Sequence, residues 1–396
     1  MRSLIIISQY FYPSEASTSQ LLTDLADGLF AKGLKIKIYT GTPSNGEKSK
    51  PFTILRSPDP FQKSKSILGK LVSSLFFLLG ALFFVLFKVD KRDSLLIASN
   101  PPYAGILGLV FKFLRGGKYY FLLQDVFPES AILSGIIKQK SWLVNVFNYL
   151  IYLVCFNSEK TIVLSESMEK LLQSKYSDLD NFSIIENWSI APIELSDKKD
   201  NEFAIKYGLD KKFTVLYSGN IGRLHDIETI AEAVKILYEK NQNIQFVFIG
   251  DGAKLKILEQ YKNQYKLENL LLLPFQPREL LSQTLTACDV SLVSLVKGAE
   301  SVVAPCKFYG MLASGRAIVS VSETGSYIDK LITEKECGIN CPCGDAEKLA
   351  DILIELCNSP DKVKNMGINA HQLYLKQYRL DRALKEYIEV LNLKES

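Results

Sequence analysis

Histidine is almost absent from this sequence, since only His225 and His371 occur among 396 residues. Cys337, Cys341 and Cys343 lie close together, but neither histidine is near them in sequence. Their C-x-C spacing also differs from the usual structural zinc pattern. No metal centre is therefore predicted at these cysteines, and ordinary buried or loop thiols are expected, because a free cysteine behaves mostly as a small hydrophobe.

Compositional bias is missing as well, and no secretory leader is expected from the first residues. Hydrophobic residues make up 47% of the chain and charged residues 23%, which is typical of a globular protein and not of a fibrous or disordered one. The first apolar run, residues 1–8, is too short for the core of a secretory signal and is typical of a strand. With seven cysteines, an odd number, the sequence indicates a reducing cytosol.

Strong net charge is absent, but the charge is unevenly spread. The chain as a whole carries +4, while residues 1–195 hold 21 Lys and Arg against 16 Asp and Glu. The N-terminal half is therefore expected to face an anionic partner more than the C-terminal half does. A length of 396 residues exceeds one hydrophobic core and predicts two domains of similar size.

The most informative stretch is a glycine turn between a strand and a helix. Residues 213–217 are apolar and typical of a buried strand, and residues 218–222, Ser-Gly-Asn-Ile-Gly, interrupt them. Apolar residues at helical spacing follow from Ile227 to Leu237. Free backbone N–H groups and a helix N-terminus in such a turn suit a diphosphate, and Arg223 could add a bidentate contact.

A second stretch strengthens this interpretation. At Pro305-x-Lys307 a turn leads into a helix of small residues, so Lys307 stands at a helix N-terminus. A cation there is electrostatically disfavoured unless an anion joins it. Arg223 and Lys307 are therefore predicted to clamp a nucleotide diphosphate from two adjacent loops at the carboxyl edge of one parallel sheet.

Several segments in this order resemble the donor-binding domain of family 4 glycosyltransferases with the GT-B fold: YSGNIGRLHD, FVFIGDGAKL, LLPFQPRELLSQTLTACDVSLVSL and APCKFYGMLASGRAIVS. The N-terminal half resembles the acceptor domain of the same family through ISQYFYPSEASTSQLLTDLADGLFAKGLKIKIYTG, LLQDVFPESAILSG and IIENWS. Within the family, the resemblance is to the amino-deoxyhexose (fucosamine-type) transferases of O-antigen and capsular polysaccharide synthesis.

The resemblance implies an α/β protein with two doubly wound Rossmann-like domains facing a central cleft. Residues 1–195 would bind the acceptor, with a membrane-associating segment at 67–89, and residues 196–375 would bind the donor. A C-terminal helix, 376–396, is expected to pack back on the first domain. Independently, strands alternating with helices after residue 213 predict a doubly wound sheet.

On the donor side the resemblance implies further contacts beside Arg223 and Lys307. These donor-binding positions are Gly219, Asn220, Gly250, Asp251, Gly252, Phe275, Ala304 and Pro305. The sequence also departs from the family, which usually has two glutamates flanking the sugar-binding loop. They align with Val302 and Gly310, and Glu300 is two residues out of register. The ribose and sugar contacts are therefore expected to differ from the family's usual set.

On the acceptor side, the first strand–helix loop and the end of a later strand carry the candidates. Ser17, Thr18 and Ser19 either touch substrate or cap the helix that follows, and both interpretations stay open. Asp125 is the first choice and Glu129 the second for a carboxylate that meets an acceptor hydroxyl. The alternative for Asp125 is that it caps the helix beginning near Pro128.

Two further segments carry structural predictions. Residues 42–66, polar and basic, are expected to form a loop, and residues 196–202, highly charged, are expected to link the domains. Leu71–Phe87 holds seventeen residues without a charge, which as a helix would reach ~25 Å, short of the ~30 Å hydrocarbon core.

A monotopic membrane association is predicted for Leu71–Phe87, because strands on both sides of it should share one sheet. The nine basic residues against two acidic ones between Lys48 and Arg92 support it. Two faces are expected: small residues toward protein and phenylalanines toward lipid. They are Ser73, Ser74, Gly80 and Ala81 on the first, and Phe76, Phe77, Phe83, Phe84 and Phe87 on the second.

The function expected is retaining transfer of a sugar from a nucleotide-diphosphate donor, expected to be a UDP-sugar, to a lipid-linked saccharide. The acceptor is expected to be linked through polyprenyl diphosphate at the inner face of the cell membrane. No cofactor or nucleic-acid partner is expected, and no divalent metal is expected because the two cations can screen the diphosphate. Two alternatives remain: a nucleotide-sugar 2-epimerase, which the scarcity of histidine disfavours, and a non-catalytic sugar-nucleotide-binding or membrane scaffold protein, which the missing glutamates suggest.

Overall fold

The computed structural model describes residues 3–14, 16–44, 49–58, 67–240 and 243–393, without the side chains of residues 67, 68 and 70. The basic residues Lys48, Lys63 and Lys65, which entered the membrane prediction, lie outside this description. Two compact units form the chain. Unit 1 contains residues 1–190, 301–304 and 380–396, and unit 2 contains residues 191–300 and 305–379.

Unit 1 is a parallel sheet of seven strands with helices between them. Its strands are β1 (Leu4–Ser8), β2 (Ile36–Thr40), β3 (Thr53–Arg56), β4 (Ser94–Ala98), β5 (Lys118–Leu122), β6 (Thr161–Val163) and β7 (Phe182–Ile184). Its helices are α1 (Ser17–Ala31), α2 (Ile67–Phe87), α3 (Ile106–Arg115), α4 (Glu129–Leu133), α5 (Trp142–Asn157) and α6 (Glu166–Lys175). The strand order is β3-β2-β1-β4-β5-β6-β7, so the chain changes direction between β1 and β4.

Unit 2 repeats this architecture with six strands. Its strands are β8 (Phe213–Ser218), β9 (Ile244–Ile249), β10 (Leu270–Leu273), β11 (Val290–Ser294), β12 (Ala317–Val321) and β13 (Gly338–Cys341). Its helices are α7 (Glu202–Lys206), α8 (Ile227–Glu239), α9 (Leu255–Tyr265), α10 (Leu281–Thr286), α11 (Lys307–Ala313), α12 (Tyr327–Glu334), α13 (Ala346–Cys357) and α14 (Pro360–Gln377). The order β10-β9-β8-β11-β12-β13 reverses between β8 and β11.

Both sheets follow from sequence patterns that can be read directly. β1, β9 and β12 are buried along their whole length, because helices cover both faces of a parallel sheet and every side chain then meets protein. The prediction of two doubly wound α/β domains is confirmed. The last helix, α15 (Leu380–Val390), belongs to unit 1, where Leu384 packs against Gly28 of α1.

Two segment predictions need correction. Residues 42–66 are not all loop, because Thr53–Arg56 forms β3, a short edge strand whose partly exposed side chains hide its strand character. Residues 196–202 are not a free linker but pack onto unit 2. Asn201 is buried, donates to Gln283 O at 2.8 Å and caps α7, and Lys198 forms an ion pair with Asp289.

More of the side chains of helix α2 pack against protein than the sequence predicts. Ala81 is buried, and the Ser74 hydroxyl donates to Gln9 Oε1 at 2.9 Å, as the small-residue face requires. Phe77 and Phe84 are wrongly assigned to the lipid face: both are buried, and Phe84 stacks on Tyr39 with ring centroids 4.9 Å apart. No helix among the described residues combines the length and apolar character needed to cross a membrane.

Candidate functional site

Three glycines bring two loops of unit 2 into close contact at the point where its sheet reverses. Gly219 follows β8 with φ 127°, and Gly250 and Gly252 follow β9 with φ 149° and 155°. A Cβ at Gly250 would overlap the carbonyl of Gly219, and one at Gly252 would overlap that of Ile221. Only glycine therefore fits this turn, which lies at the carboxyl ends of the strands, where open α/β sheets bind ligands.

Lys307 reaches from the first residue of α11 into this turn. Its ammonium lies 3.8 Å from the centre of the Tyr217 ring, donates to the Tyr217 hydroxyl at 2.5 Å and to the Asn220 carbonyl at 3.0 Å. The Lys307 side chain also lies against Gly219, where an added Cβ would be 3.3 Å from Lys307 Cε. Within the described residues Lys307 forms no ion pair, so its partners are neutral groups. Withdrawal from water lowers the pKa of this ammonium to about 7.

Arg223 lies in the same β8–α8 loop as Gly219 and Asn220. Arg223 is exposed, and it makes no hydrogen bond or ion pair within the described part of the chain. The structure thus brings Lys307 to the loop that carries Arg223, as the clamp prediction requires. An exposed guanidinium without a protein partner is available for bidentate contacts to a phosphate.

The N-terminus of α8 is less open than the sequence suggests. Asp226 caps it by accepting from Thr229 N at 3.1 Å, and the same carboxylate accepts from Gly344 N at 3.2 Å. Because a carboxylate already occupies the positive end of this helix, an anion in the site would rely on the glycine turn and the two cations. The expectation of a free α8 N-terminus is therefore wrong.

His225 and Tyr217 are the site residues that sequence reasoning missed. His225 Nδ1 lies 2.5 Å from the Ser294 carbonyl, so this nitrogen donates and Nε2 is left as an acceptor. Burial lowers the pKa of His225 to about 3, and the Lys307 charge adds to the effect, so the ring is neutral. Tyr217 reads as an ordinary strand residue, whereas a histidine in a glycine turn of a histidine-poor chain was a usable signal.

The other donor-side positions fall around the turn with different exposures. Phe275 follows β10 and is 54% exposed, and its ring lies near Gly250. Asp251 is tied to its own loop, because its carboxylate accepts from Gly252 N at 2.7 Å and its carbonyl from Ile221 N at 2.9 Å. Phe275 is therefore available to a flat ligand group, while Asp251 shapes the turn.

The positions of the missing glutamates hold apolar contacts. Val302 is buried, and a Cβ at Gly310 would lie 3.2 Å from Leu285, inside the packing of α11. Glu300 lies in a short turn, where burial raises the pKa of its carboxyl and the Glu323 charge adds to the rise. Ala304 ends the 301–304 segment of unit 1, and Pro305 opens the turn into α11, its carbonyl accepting from Phe308 N at 2.9 Å.

Asp125 follows β5 in unit 1, at the carboxyl edge of that sheet. It pairs through its backbone with Val303, and Val126 N donates to Val302 O at 2.8 Å. The residue is exposed, yet withdrawal of its carboxyl from water raises the pKa to about 6. The capping alternative is wrong, because Pro128 is the N-cap of α4 and no side chain caps that helix.

Glu129 has a structural partner instead of an open position. Its carboxylate forms an ion pair with Lys175 of α6, whose ammonium also donates to Asn148 Oδ1 at 2.8 Å. Breaking this half-buried pair would leave a charge without its partner. Glu129 is therefore occupied by Lys175, whereas Asp125 is exposed at the carboxyl edge of the sheet.

The three hydroxyl residues at the start of α1 behave differently from one another. The Thr18 hydroxyl donates to Gln124 Oε1 at 2.6 Å, which places it beside the residue that precedes Asp125. Ser17 is exposed at the first turn, whereas Ser19 is buried and faces the interior. The capping alternative fails for all three, because Ala16 is the N-cap and no side chain caps α1.

The cysteines form no metal centre in the described part of the chain, and all seven are free thiols. Cys341 Sγ donates to the Asp345 carbonyl at 3.2 Å, and Cys343 Sγ to the Leu295 carbonyl at 3.2 Å. Burial raises the pKa of both thiols, to about 12 and about 11, so they stay protonated at neutral pH.

Comparison with known proteins shows which proteins this chain resembles in sequence. The model for "Glycosyl transferases group 1" matches residues 199–373, which include the whole glycine turn and Lys307. The Pseudomonas aeruginosa protein named "Probable glycosyltransferase WbjE" is 30% identical over 277 residues, 68% of this chain and 67% of that protein. The Escherichia coli protein named "Putative colanic acid biosynthesis glycosyl transferase WcaI" is 30% identical over 179 residues, 44% of this chain and 43% of that protein.

Solved structures extend the likeness over both units. Anabaena HepE in complex with UDP-glucose matches with a TM-score of 0.75 at 14% identity, covering 99% of this chain and 100% of that one. At this level of identity the match shows the shared fold alone. Together with the relatives in sequence it leads to one conclusion: the chain belongs to the group 1 glycosyltransferases and is a glycosyltransferase with the GT-B fold.

Proposed function

We propose that this enzyme transfers a sugar from a nucleotide-diphosphate donor to a lipid-linked saccharide during the synthesis of a bacterial surface polysaccharide. The observation that carries the donor assignment is Lys307, whose ammonium lies in a glycine turn among neutral partners. A diphosphate would supply the negative charge that the Tyr217 hydroxyl and the Asn220 carbonyl do not.

Lys307 and Arg223 would stabilise the departing diphosphate electrostatically. Charge that develops on a leaving group in a preorganised site is stabilised more strongly than in water, and removing one such contact typically costs about 10²–10³ in turnover. The His225 ring is neutral, so it neither repels the phosphates nor competes with them for the two cations.

The nucleoside is proposed to lie near Phe275, whose exposed ring beside Gly250 offers a surface on which a base can stack. UDP is the proposed nucleotide, supported by the structural likeness to HepE, which was solved with UDP-glucose. Because Pro305-x-Lys307 is retained, an amino-deoxyhexose of the fucosamine type is the proposed sugar class, with retention at the anomeric carbon by family resemblance.

The acceptor is proposed to meet unit 1 at Asp125 and Thr18. Asp125 would accept a hydrogen bond from the acceptor hydroxyl, and Ser17 and Thr18 open α1 at the same sheet edge, where Thr18 donates to Gln124. A polyprenyl-diphosphate saccharide, presented at the inner face of the cell membrane, is the proposed acceptor class. The similarity to WcaI, named for colanic acid biosynthesis, and the sequence resemblance to O-antigen and capsule transferases support this assignment.

A panel of labelled nucleotide sugars tests the proposed transfer. The purified enzyme is incubated with each sugar and with membrane lipid extract, and the label in the solvent-extractable lipid fraction is measured. We expect one UDP-sugar to label the lipid fraction, and the Lys307→Ala variant to label it at least about 10²-fold more slowly. Label released only as free sugar, or no transfer from any donor, would contradict the acceptor proposal.

Metal dependence gives a second, independent prediction. If two cationic side chains neutralise the diphosphate, transfer should continue in excess chelator at close to its original rate. The measurement is the initial rate with and without EDTA, followed by addition of magnesium or manganese. Complete loss with chelator and recovery with metal would show a metal-bridged donor.

A further inference from the structure

Helix α2 exposes an apolar stripe on unit 1 that winds gradually around the helix. Leu71, Leu75, Leu79, Phe83 and Phe87 recur every four residues, and each is between 52% and 67% exposed. Phe77 and Phe84 on the opposite side of the helix are buried against the sheet, so the stripe faces away from the core. Transfer of such side chains out of water is favourable, and a soluble surface rarely carries so many in one line.

The apolar exposure continues on the two neighbouring helices. α3 packs against both α2 and α5, and these three helices cover one face of the sheet. They share that face because each joins strands that advance in the same direction through β4, β5 and β6, and right-handed crossovers then lie on one side. Phe113 and Leu114 on α3 are 67% and 69% exposed, and Trp142, Val146 and Tyr149 on α5 are exposed as well.

The three helices themselves carry charges of one sign, and an acidic residue that contacts α5, Asp178, accepts from the Tyr152 hydroxyl at 2.7 Å. α2, α3 and α5 contain no Asp or Glu, and their charged residues are Lys70, Lys112 and Arg115. Lys88 and Lys91 follow the C-terminus of α2, and Lys138 and Lys140 precede α5, all of them exposed. The acidic residues nearest in sequence are occupied: Asp90 pairs with Arg92, and Glu159 pairs with Lys118.

We infer that the outer faces of α2, α3 and α5 form one docking surface for a bilayer that contains anionic lipid. This inference rests on the proposed lipid-linked acceptor and extends the membrane contact from α2 to three helices. Basic residues at both ends would pair with anionic headgroups while the apolar side chains enter the interface, and Trp142 and Tyr149 are residue types enriched at that depth. A second copy of the chain fits less well, because it would bring two basic rims together.

The surface is placed usefully for the acceptor. In a doubly wound sheet the helices run antiparallel to the strands, so α3 and α5 begin near the edge at which β5 ends, and Asp125 lies at that edge. A bilayer on the outer face of these helices would therefore hold a lipid-anchored diphosphate within reach of unit 1 without any segment crossing the membrane.

Vesicle sedimentation of the full-length protein tests the three-helix surface. The probes are phosphatidylcholine vesicles with and without phosphatidylglycerol, and the variants are Phe113→Ser with Leu114→Ser on α3 and Trp142→Ser with Tyr149→Ser on α5. The matched control, Ile205→Ser with Leu375→Ser, changes exposed apolar residues of unit 2. Each side chain is about half exposed or more, so none of the substitutions empties a core.

We expect the wild type to bind anionic vesicles, with binding weakened by salt, and each double variant on α3 or α5 to bind at least about tenfold more weakly. The control should bind like the wild type. The three-helix surface would be overturned if the α3 and α5 variants bound vesicles as strongly as the wild type and only Leu79→Ser and Phe83→Ser lost binding. In that case α2 would be the only docking element. The docking surface would also be overturned if the wild type did not bind vesicles. If the wild type formed dimers and the same substitutions made it monomeric, the occupant of the surface would be a second copy of the chain.

Donor turnover separates this inference from the proposed function. UDP-sugar consumption with a water-soluble acceptor analogue should be unchanged in the α3 and α5 variants, since these residues lie outside the donor site. A protein that binds vesicles but turns over no nucleotide sugar would contradict the proposed function and leave the docking surface standing.

Discussion

Lys307 shows how a single residue can be informative before any ligand is seen. Its ammonium has a hydroxyl, a carbonyl and an aromatic face as neighbours, and withdrawal from water lowers its pKa to about 7. A cation kept in such a place costs stability unless an anion joins it. The sequence predicts this residue through its Pro-x-Lys turn. It does not predict Tyr217, which is an ordinary strand residue until the loops are folded together, and the only sequence signal for His225 is the scarcity of histidine.

Donor affinity should depend on pH through Lys307. The charged ammonium attracts the diphosphate, so affinity for UDP should fall as the pH rises above about 7, the pKa of Lys307. By about pH 9, each further pH unit should raise the dissociation constant of UDP by roughly tenfold. The measurement is calorimetric titration of UDP. Lys307→Ala should bind weakly at every pH, and the same pH slope in that variant would assign the dependence to another group.

Asp125 should matter for acceptor more than for donor. Asp125→Asn keeps the size of the side chain and removes its charge, so transfer should fall about ten- to a hundredfold, the scale of losing a hydrogen bond to a charged group. With a pKa of about 6, wild-type transfer should also fall as pH drops below 6, where the carboxyl is protonated. Initial rates and UDP binding are compared, and equal loss of both would contradict an acceptor role.

At the scale of elements, the sequence predicts what is buried and misses what is half exposed. The strand predicted at residues 213–217 matches β8, which ends one residue later, because it is a short apolar run before a turn. β3 is missed, since an edge strand with a polar side lacks that run. The faces of α2 are predicted only in part: Ser74 and Ala81 face protein, but so do Phe77 and Phe84, whose contact with Tyr39 depends on tertiary packing.

Gly80 allows the packing of α2 to be tested. Replacing glycine with alanine inside a helix ordinarily stabilises it by about 1 kcal/mol. Here the added Cβ would overlap the Tyr39 hydroxyl, and Tyr39 is buried and stacked on Phe84. We therefore expect Gly80→Ala to lower the free energy of unfolding in urea by about 1–3 kcal/mol. Leu79→Ala, on the exposed stripe, is the control, and a stabilised Gly80→Ala variant would show that α2 packs elsewhere.

At the scale of the whole molecule, resemblance to a family predicts the fold and the class of enzyme, whereas reasoning from single residues does not predict which of them are exposed or paired. Ordered motifs identify the family, and the family model and WbjE confirm it, while individual site residues need the fold. Ser19 and Glu129 show the difference, because nothing in their sequence neighbourhood indicates that one is buried and the other is paired with Lys175. With Val302 and Gly310 at the positions of the family's glutamates, the proposed donor site relies on the two cations, Arg223 and Lys307, for its contacts to the diphosphate.

The most direct test of the central claim, that Lys307 and Arg223 hold the donor diphosphate, is the steady-state turnover of a UDP-sugar by three variants. Lys307→Ala and Arg223→Ala should each lose about 10²-fold or more, with little change in the free energy of unfolding. Lys362→Ala, which removes an exposed lysine of α14 that is paired with Glu355 of α13, should keep wild-type turnover. Near-normal turnover in both Lys307→Ala and Arg223→Ala, with folding intact, would contradict the assignment.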